Sequence, residues 1–137
     1  MFPPPVRTLL LLIAMDAPLR ILAVDNEPSV TLSLRYVFNG PRYELTCVDS
    51  GHAALAKLDA NYDLYDVIIV DEKMPNLTGL ELVGAIRQRG INGKIVVVSA
   101  HLSSEIREAY ARLDVQVSFS KPFNVEELRS TIDRIAV

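Results

Sequence analysis

Four apolar runs in this chain each lead into a polar residue suited to phosphate chemistry: residues 21–24 into Asp25, 67–70 into Asp71, 95–98 into Ser99 and 115–120 into Lys121. A carboxylate can attack phosphorus, and a pair of carboxylates can hold a hard cation. A hydroxyl and an ammonium can bind the oxygens of a transferring phosphoryl group. That chemistry needs the four side chains in one place. If the runs are parallel strands, their polar successors all emerge at the same carboxyl edge of one sheet, where open α/β sheets bind ligands.

The segment Asp25-Asn26-Glu27 has no glycine-rich backbone cradle, which argues against a nucleotide or flavin phosphate site. Carboxylates repel phosphate unless a metal intervenes. A divalent ion on Asp71, the Asn26 carbonyl oxygen and a water held by Asp25 would reconcile the two, with Mg2+ preferred because the protein offers few ligands. Asp71 is then a candidate nucleophile that attacks phosphorus in line to give an aspartyl phosphate. Mg2+, Lys121 and the Ser99 hydroxyl would stabilise the charge on the transferring group.

The elements that must position these residues alternate strand and helix five times, with no internal repeat and no low-complexity linker. A first helix is expected from Pro28, with Val30, Leu34, Val37 and Phe38 on one face, ending near Asn39-Gly40. The second strand is 43–48. Ser50 caps a second helix that buries Ala54, Leu55 and Leu58, and Asn61 to Asp63 break it. The third strand is apolar throughout, as expected for a central strand covered on both faces. The turn-rich residues 74–79 lead to a helix carrying Leu82, Val83 and Ile86, stopped by Gly90. The fourth helix, from Ser103 or Ser104 to about Arg112, has only Ile106, Ala109 and Tyr110 as apolar contacts and is expected to be the most weakly held. Asn124 and Glu127 form a capping-box-like start to the last helix, which carries Leu128, Ile132 and Ile135.

With 137 residues, half of them hydrophobic, the chain suits one domain. The net charge of −3, with acids and bases interspersed, gives no basic stripe for nucleic acid and no polybasic patch for a membrane. The lone Cys47 lies in an apolar stretch and reads as a buried core thiol in a reducing, cytoplasmic setting. Residues 1–18 read as an N-terminal extension. The apolar run at 9–14 is too short to span a membrane and lacks the pattern of a secretion signal. Met15 is an alternative start. His52 and His101 have no paired spacing and are assigned no metal.

Taken together, Val24-Asp25-Asn26-Glu27-Pro28, Asp71-Glu72-Lys73-Met74-Pro75 with Gly79, Ser99-Ala100 and Lys121-Pro122-Phe123 resemble the receiver domain of bacterial two-component response regulators, chemotaxis regulators included. The resemblance covers residues 19–137. It implies a flavodoxin-like (βα)5 fold with a doubly wound five-stranded parallel sheet in the order 2-1-3-4-5, and a cis peptide before Pro122. It also implies Mg2+ on Asp25, Asn26, Asp71 and the backbone carbonyl of Lys73. Phosphorylation of Asp71 by a histidine kinase or a phosphotransfer protein follows, with Ser99 and Lys121 assisting. On this likeness the chain is a phosphoacceptor signalling domain that catalyses only its own phosphorylation and dephosphorylation. The face of the fourth helix, fifth strand and fifth helix is its expected surface for a target or a second copy.

Two departures from the family stand out. Asn26 replaces the usual second acid, which predicts weaker Mg2+ binding; Glu27 is a nearby acid, but its expected place is against helix-terminus amides. Ser118 stands where the family commonly has an aromatic ring, and Phe119 points to the opposite face, so that His101 or Tyr110 must carry any signal from Ser99. Lys73 is expected near the phosphoryl group, where its charge would prolong the phosphorylated state. Two rival readings are a degenerate receiver acting as a phosphorylation-independent binding module, and a small phosphate-ester hydrolase. The hydrolase fits poorly, since Lys73 occupies the place of its typical second acid.

Overall fold

A computed structural model describes residues 17–136. The readings made for the extension up to residue 16, including Met15 as a start, lie outside the described residues. From Leu19 onward the strands and helices alternate: β1 (Leu19–Val24), α1 (Pro28–Val37), β2 (Tyr43–Val48), α2 (Gly51–Ala60), β3 (Val67–Asp71), α3 (Gly79–Gln88), β4 (Lys94–Ser99), α4 (Ser104–Arg112), β5 (Val117–Ser120) and α5 (Val125–Ile135). The five strands pair in parallel in the order β2-β1-β3-β4-β5, as the resemblance implies. The strand order turns back between β1 and β3. Connections leave these two neighbours in opposite directions, and the parting opens a crevice at their carboxyl ends.

Side chains alternate across each strand, so a sheet covered on both faces must be apolar at every position. Residues 21–24 of β1, 67–70 of β3 and 95–98 of β4 meet that demand. Leu22, Val24, Ile68, Val70 and Val97 face α2, α3 and α4, where they meet Ala54, Leu58, Leu82, Ile86 and Tyr110. Ile21, Ala23, Ile69, Val96 and Val98 face α1 and α5 and pack on Leu34, Val37, Leu128 and Ile132. Phe119 joins this second face, on the side away from Ser118, as strand alternation requires.

Three local details differ from the sequence reading. The last helix lacks a reciprocal box: the Asn124 side chain accepts from the Glu127 amide, and the complete capping box instead opens α3, where Thr78 and Glu81 each bond the other's backbone amide. β5 starts two residues later than expected, because the amides of residues 113–115 turn back to close α4, with Asp114 at a φ of 61°. Val115 is buried nonetheless. Cys47 is only half-buried, because β2 is an edge strand; burial raises its thiol pKa, and the Arg35 guanidinium beside it offsets this in part. The Lys121–Pro122 peptide is cis, as the resemblance implies.

The capping box sets the angle at which α3 leaves the Asp71 loop. Replacing Thr78 with Ala removes the acceptor for the Glu81 amide and is expected to lower stability by about 1 kcal/mol. A shifted urea midpoint with an unchanged slope would record it.

Candidate functional site

The parallel sheet delivers the polar strand ends to one edge. Asp25 follows β1, Asp71 ends β3, and Ser99 ends β4 one residue beyond Val98, the register partner of Asp71. Lys121 follows β5, and its amide donates to the Ser99 carbonyl at 2.9 Å, which carries the ladder one step past the strand. All four expected residues therefore gather at the carboxyl edge. Asp25, Asp71 and Ser99 are buried, and the Lys121 side chain is only 12% exposed.

Lys121 is the hub of the site. Its Nζ lies 2.9 Å from Asp25 Oδ2, 3.3 Å from Asp71 Oδ1 and 3.2 Å from Glu27 Oε1. Burial pulls the ammonium pKa down, yet the bond and charge of Asp25, with Asp71 and Glu27, outweigh it and leave the pKa above its ordinary value. Burial, and next the charge of Asp25, push the Asp71 carboxyl pKa up; Lys121 and the Lys73 amide pull it back in part. Asp71 Oδ1 also accepts from the Lys73 amide at 3.4 Å. Asp71 Oδ2 is buried and has no hydrogen-bond partner. It is a free lone-pair donor at the centre of the crevice.

Glu27 corrects the sequence reading. Its side chain makes no cap at the start of α1, although it sits at the N-cap position; it reaches Lys121 instead. Carboxylate oxygens of Asp25, Glu27 and Asp71 lie within 4.8 Å of one another. Glu27 thus supplies the third acid, and the omission of Glu27 from the expected metal set had a cause: a residue at a helix start is ordinarily drawn to the helix amides. Asn26 is exposed and opens, beside Asp25, on a concavity of about 450 Å3 that Thr31, Arg35 and Cys47 also line. It is not one of the clustered acids. Lys73 has an exposed side chain, and its backbone amide is what touches Asp71. His52 and His101 are exposed, and the His101 carbonyl accepts from the Ser99 hydroxyl at a long 3.3 Å.

The sequence reading also passed over Glu72. It is buried directly after Asp71, and its Oε1 accepts from the Leu80 amide and from the Tyr110 hydroxyl. Burial, the bond to Glu72 and the charges of Glu72 and Asp71 push the Tyr110 phenol far above its ordinary pKa. Two negative charges in excess at an apolar sheet edge suit a hard divalent cation: three carboxylates face one ammonium, and one oxygen stands unpartnered. The donor set is all oxygen, as Mg2+ requires.

The response regulator receiver domain family model matches residues 21–133, and the chain belongs to that family. The response regulator MprA of Mycolicibacterium vanbaalenii is 34% identical over 113 residues, which cover 81% of this chain and 47% of MprA. Sporulation initiation phosphotransferase F of Bacillus subtilis is 24% identical over 115 residues, 84% of this chain and 91% of that protein. Among solved structures, the chemotaxis protein CheY4 of Vibrio cholerae matches with a TM-score of 0.79 at 30% identity, over 87% of this chain and 99% of CheY4. The chain spans under half the length of several curated relatives, and 19% of a Haloferax volcanii transcriptional regulator. Receiver domains are signalling domains that bind Mg2+ at an acidic cluster and interact with histidine kinases or phosphotransfer proteins. Among the described residues, no helix is long and apolar enough to cross a membrane.

The geometry makes the cluster a source of local instability. An Asp71→Asn variant loses the charge that Asp25 repels and is expected to gain stability on the order of 1 kcal/mol in EDTA. The gain should shrink on adding Mg2+, and melting curves with and without the ion would show it.

Proposed function

We propose that this receiver domain takes a phosphoryl group on Asp71 from a phosphohistidine of a histidine kinase or phosphotransfer protein, with Mg2+ bound in the acidic crevice. The supporting observation is the buried, unpartnered Asp71 Oδ2 in a pocket that also holds Asp25 and Lys121. The carboxylate oxygen forms the new bond to phosphorus as the P–N bond of the donor breaks, and the imidazole leaves with the electron pair and takes up a proton. Lys121 neutralises the oxygens of the transferring group, and the Ser99 hydroxyl, held by one long bond, is free to turn toward them. The chain itself accelerates both the gain and the hydrolytic loss of the group. A complete pocket favours this switch over the phosphorylation-independent binding module.

Asp25 and Asp71, with Glu27 as the third clustered acid and the backbone carbonyl of Lys73, would hold the ion, and Asn26 is an uncharged oxygen donor beside them. When bound, Mg2+ supplies a positive centre that lets an anionic phosphoryl group approach the carboxylates. Glu27 restores part of the charge that Asn26 lacks, and Lys121 gives up some of its hold on the acids when the ion enters. The domain is residues 19–137, and its setting is the cytoplasm. The α4, β5 and α5 face carries the output to a protein target or a second copy.

Incubation with acetyl phosphate or phosphoramidate and Mg2+ is expected to add one phosphoryl group by intact mass. The gain should vanish in EDTA and in Asp71→Ala; a metal-dependent gain that survives Asp71→Ala would refute the assignment. In calorimetric Mg2+ titrations, Asn26→Asp is expected to bind the ion about tenfold more tightly than wild type, and Glu27→Gln several-fold more weakly, since ligand charge sets affinity at such sites.

A further inference from the structure

α1 carries more apolar surface than the domain core uses. Leu34, Val37 and the capping Phe38 pack inward, yet on the opposite side Leu32 is 69% and Tyr36 81% exposed. Positions 29, 32, 33 and 36 stand three and four apart, so Ser29, Leu32, Ser33 and Tyr36 share one uncharged, solvent-facing side of the helix. Single apolar side chains on a surface are ordinary, but a Leu and a Tyr one turn apart on the same face form a patch. Among the described residues, the other large apolar side chains left exposed are Tyr62, in the loop after α2, and Val125, at the start of α5.

The chain holds an apolar segment of its own that the sheet and helices do not use. Residues 9–15 read Leu-Leu-Leu-Leu-Ile-Ala-Met, with no charge among them, and residues 1–16 precede the described part of the chain. The point where that segment joins the domain is fixed. The Leu19 amide donates to the Arg42 carbonyl at 2.8 Å, Leu19 stands opposite Tyr43 in the β1–β2 register, and the Tyr43 ring meets Phe38 edge-on at 5.0 Å. The chain therefore enters beside the carboxyl end of α1, the end that carries Tyr36. From Ile13 to Ala17 an extended backbone spans up to about 14 Å, whereas Leu32 and Tyr36 are about 6 Å apart along the helix axis. Reach is sufficient, and so short a tether keeps the effective concentration of the segment at α1 high.

We propose that residues 9–15 dock on the Leu32–Tyr36 stripe of α1 within the same chain. The driving force is burial of two large apolar side chains against a run of aliphatic ones, with no charge to desolvate on either side. The far end of the stripe borders the acidic crevice: Ser29 and Ser33 line a concavity of about 420 Å3 whose other walls include Glu27, Lys121 and Phe123. The docked segment lies along one flank of that crevice. The inference does not depend on what Asp71 accepts.

Nitration of the full chain with tetranitromethane, read tyrosine by tyrosine by peptide mass spectrometry, tests the docking. A bare Tyr36, 81% exposed, should react at least as fast as Tyr62, which is 67% exposed. A segment docked about four-fifths of the time slows Tyr36 about fivefold, and that is the expected result in wild type. Leu10→Asp combined with Leu12→Asp should bring Tyr36 up to the rate of Tyr62, and Leu32→Ser should do the same from the helix side. Neither change touches the described core, and Tyr110, only 2% exposed, reports on the fold by staying unreactive. Wild-type Tyr36 that reacts as fast as Tyr62 overturns the proposal without any variant. So does protection that survives the Leu10 and Leu12 substitutions, since something other than the segment then covers α1. Docking within one chain is independent of concentration, so protection lost on about a hundredfold dilution assigns the cover to a second copy and overturns the proposal as well.

Discussion

One ammonium makes this site tolerable to the fold. Lys121 lies within 3.3 Å of three carboxylates, two of them buried, at the end of a sheet whose three central strands are apolar where they are buried on both faces. Taking charges out of water is costly, and like charges so close cannot all be satisfied by one cation. The remainder shows in the raised pKa of Asp71 and in its unpartnered oxygen. Stability is given up at the place where a divalent cation would restore it, a pattern common to sites whose ligand supplies the missing counter-charge.

The rest of the molecule keeps that arrangement in place. Two apolar layers clamp β1, β3 and β4 from both faces, so the ends of these strands hold their position while the loops beyond them are free to vary. α4 is the exception. It is polar over most of its surface and anchored by Tyr110, and it lies next to the loop that starts at Ser99. An element held by one buried side chain shifts at low cost, and its neighbour β5 is the shortest strand and an edge. Rigid support on one side of the crevice and a loosely held helix on the other is a workable layout for a switch.

Much of the site was legible in the residues themselves, because strand ends in a parallel sheet are forced to one edge and Asp25, Asp71, Ser99 and Lys121 each follow an apolar run. Glu27 was not. Its local role as a helix start was the natural reading, and only a cation arriving from a position 94 residues later draws it away. Glu72 was hidden in the same way, since nothing near it in the chain signals a tyrosine 38 residues on. The capping box at Thr78 and Glu81 had a local signal that was overlooked, whereas the late start of β5 depends on how α4 closes.

Periodicity, punctuation and strand-end chemistry, all of them local, were enough to set the alternation of elements, the apolar faces and the identity of the chemical groups. Three features came only with the assembled domain: that three acids converge on Lys121, which Asp71 oxygen stands bare, and where the Tyr110 hydroxyl lands. The reason is physical. Hydrophobic pattern constrains which face of each element turns inward, but a buried charge chooses its partner among groups that the chain brings together from far apart, and that choice exists only once the sheet has formed.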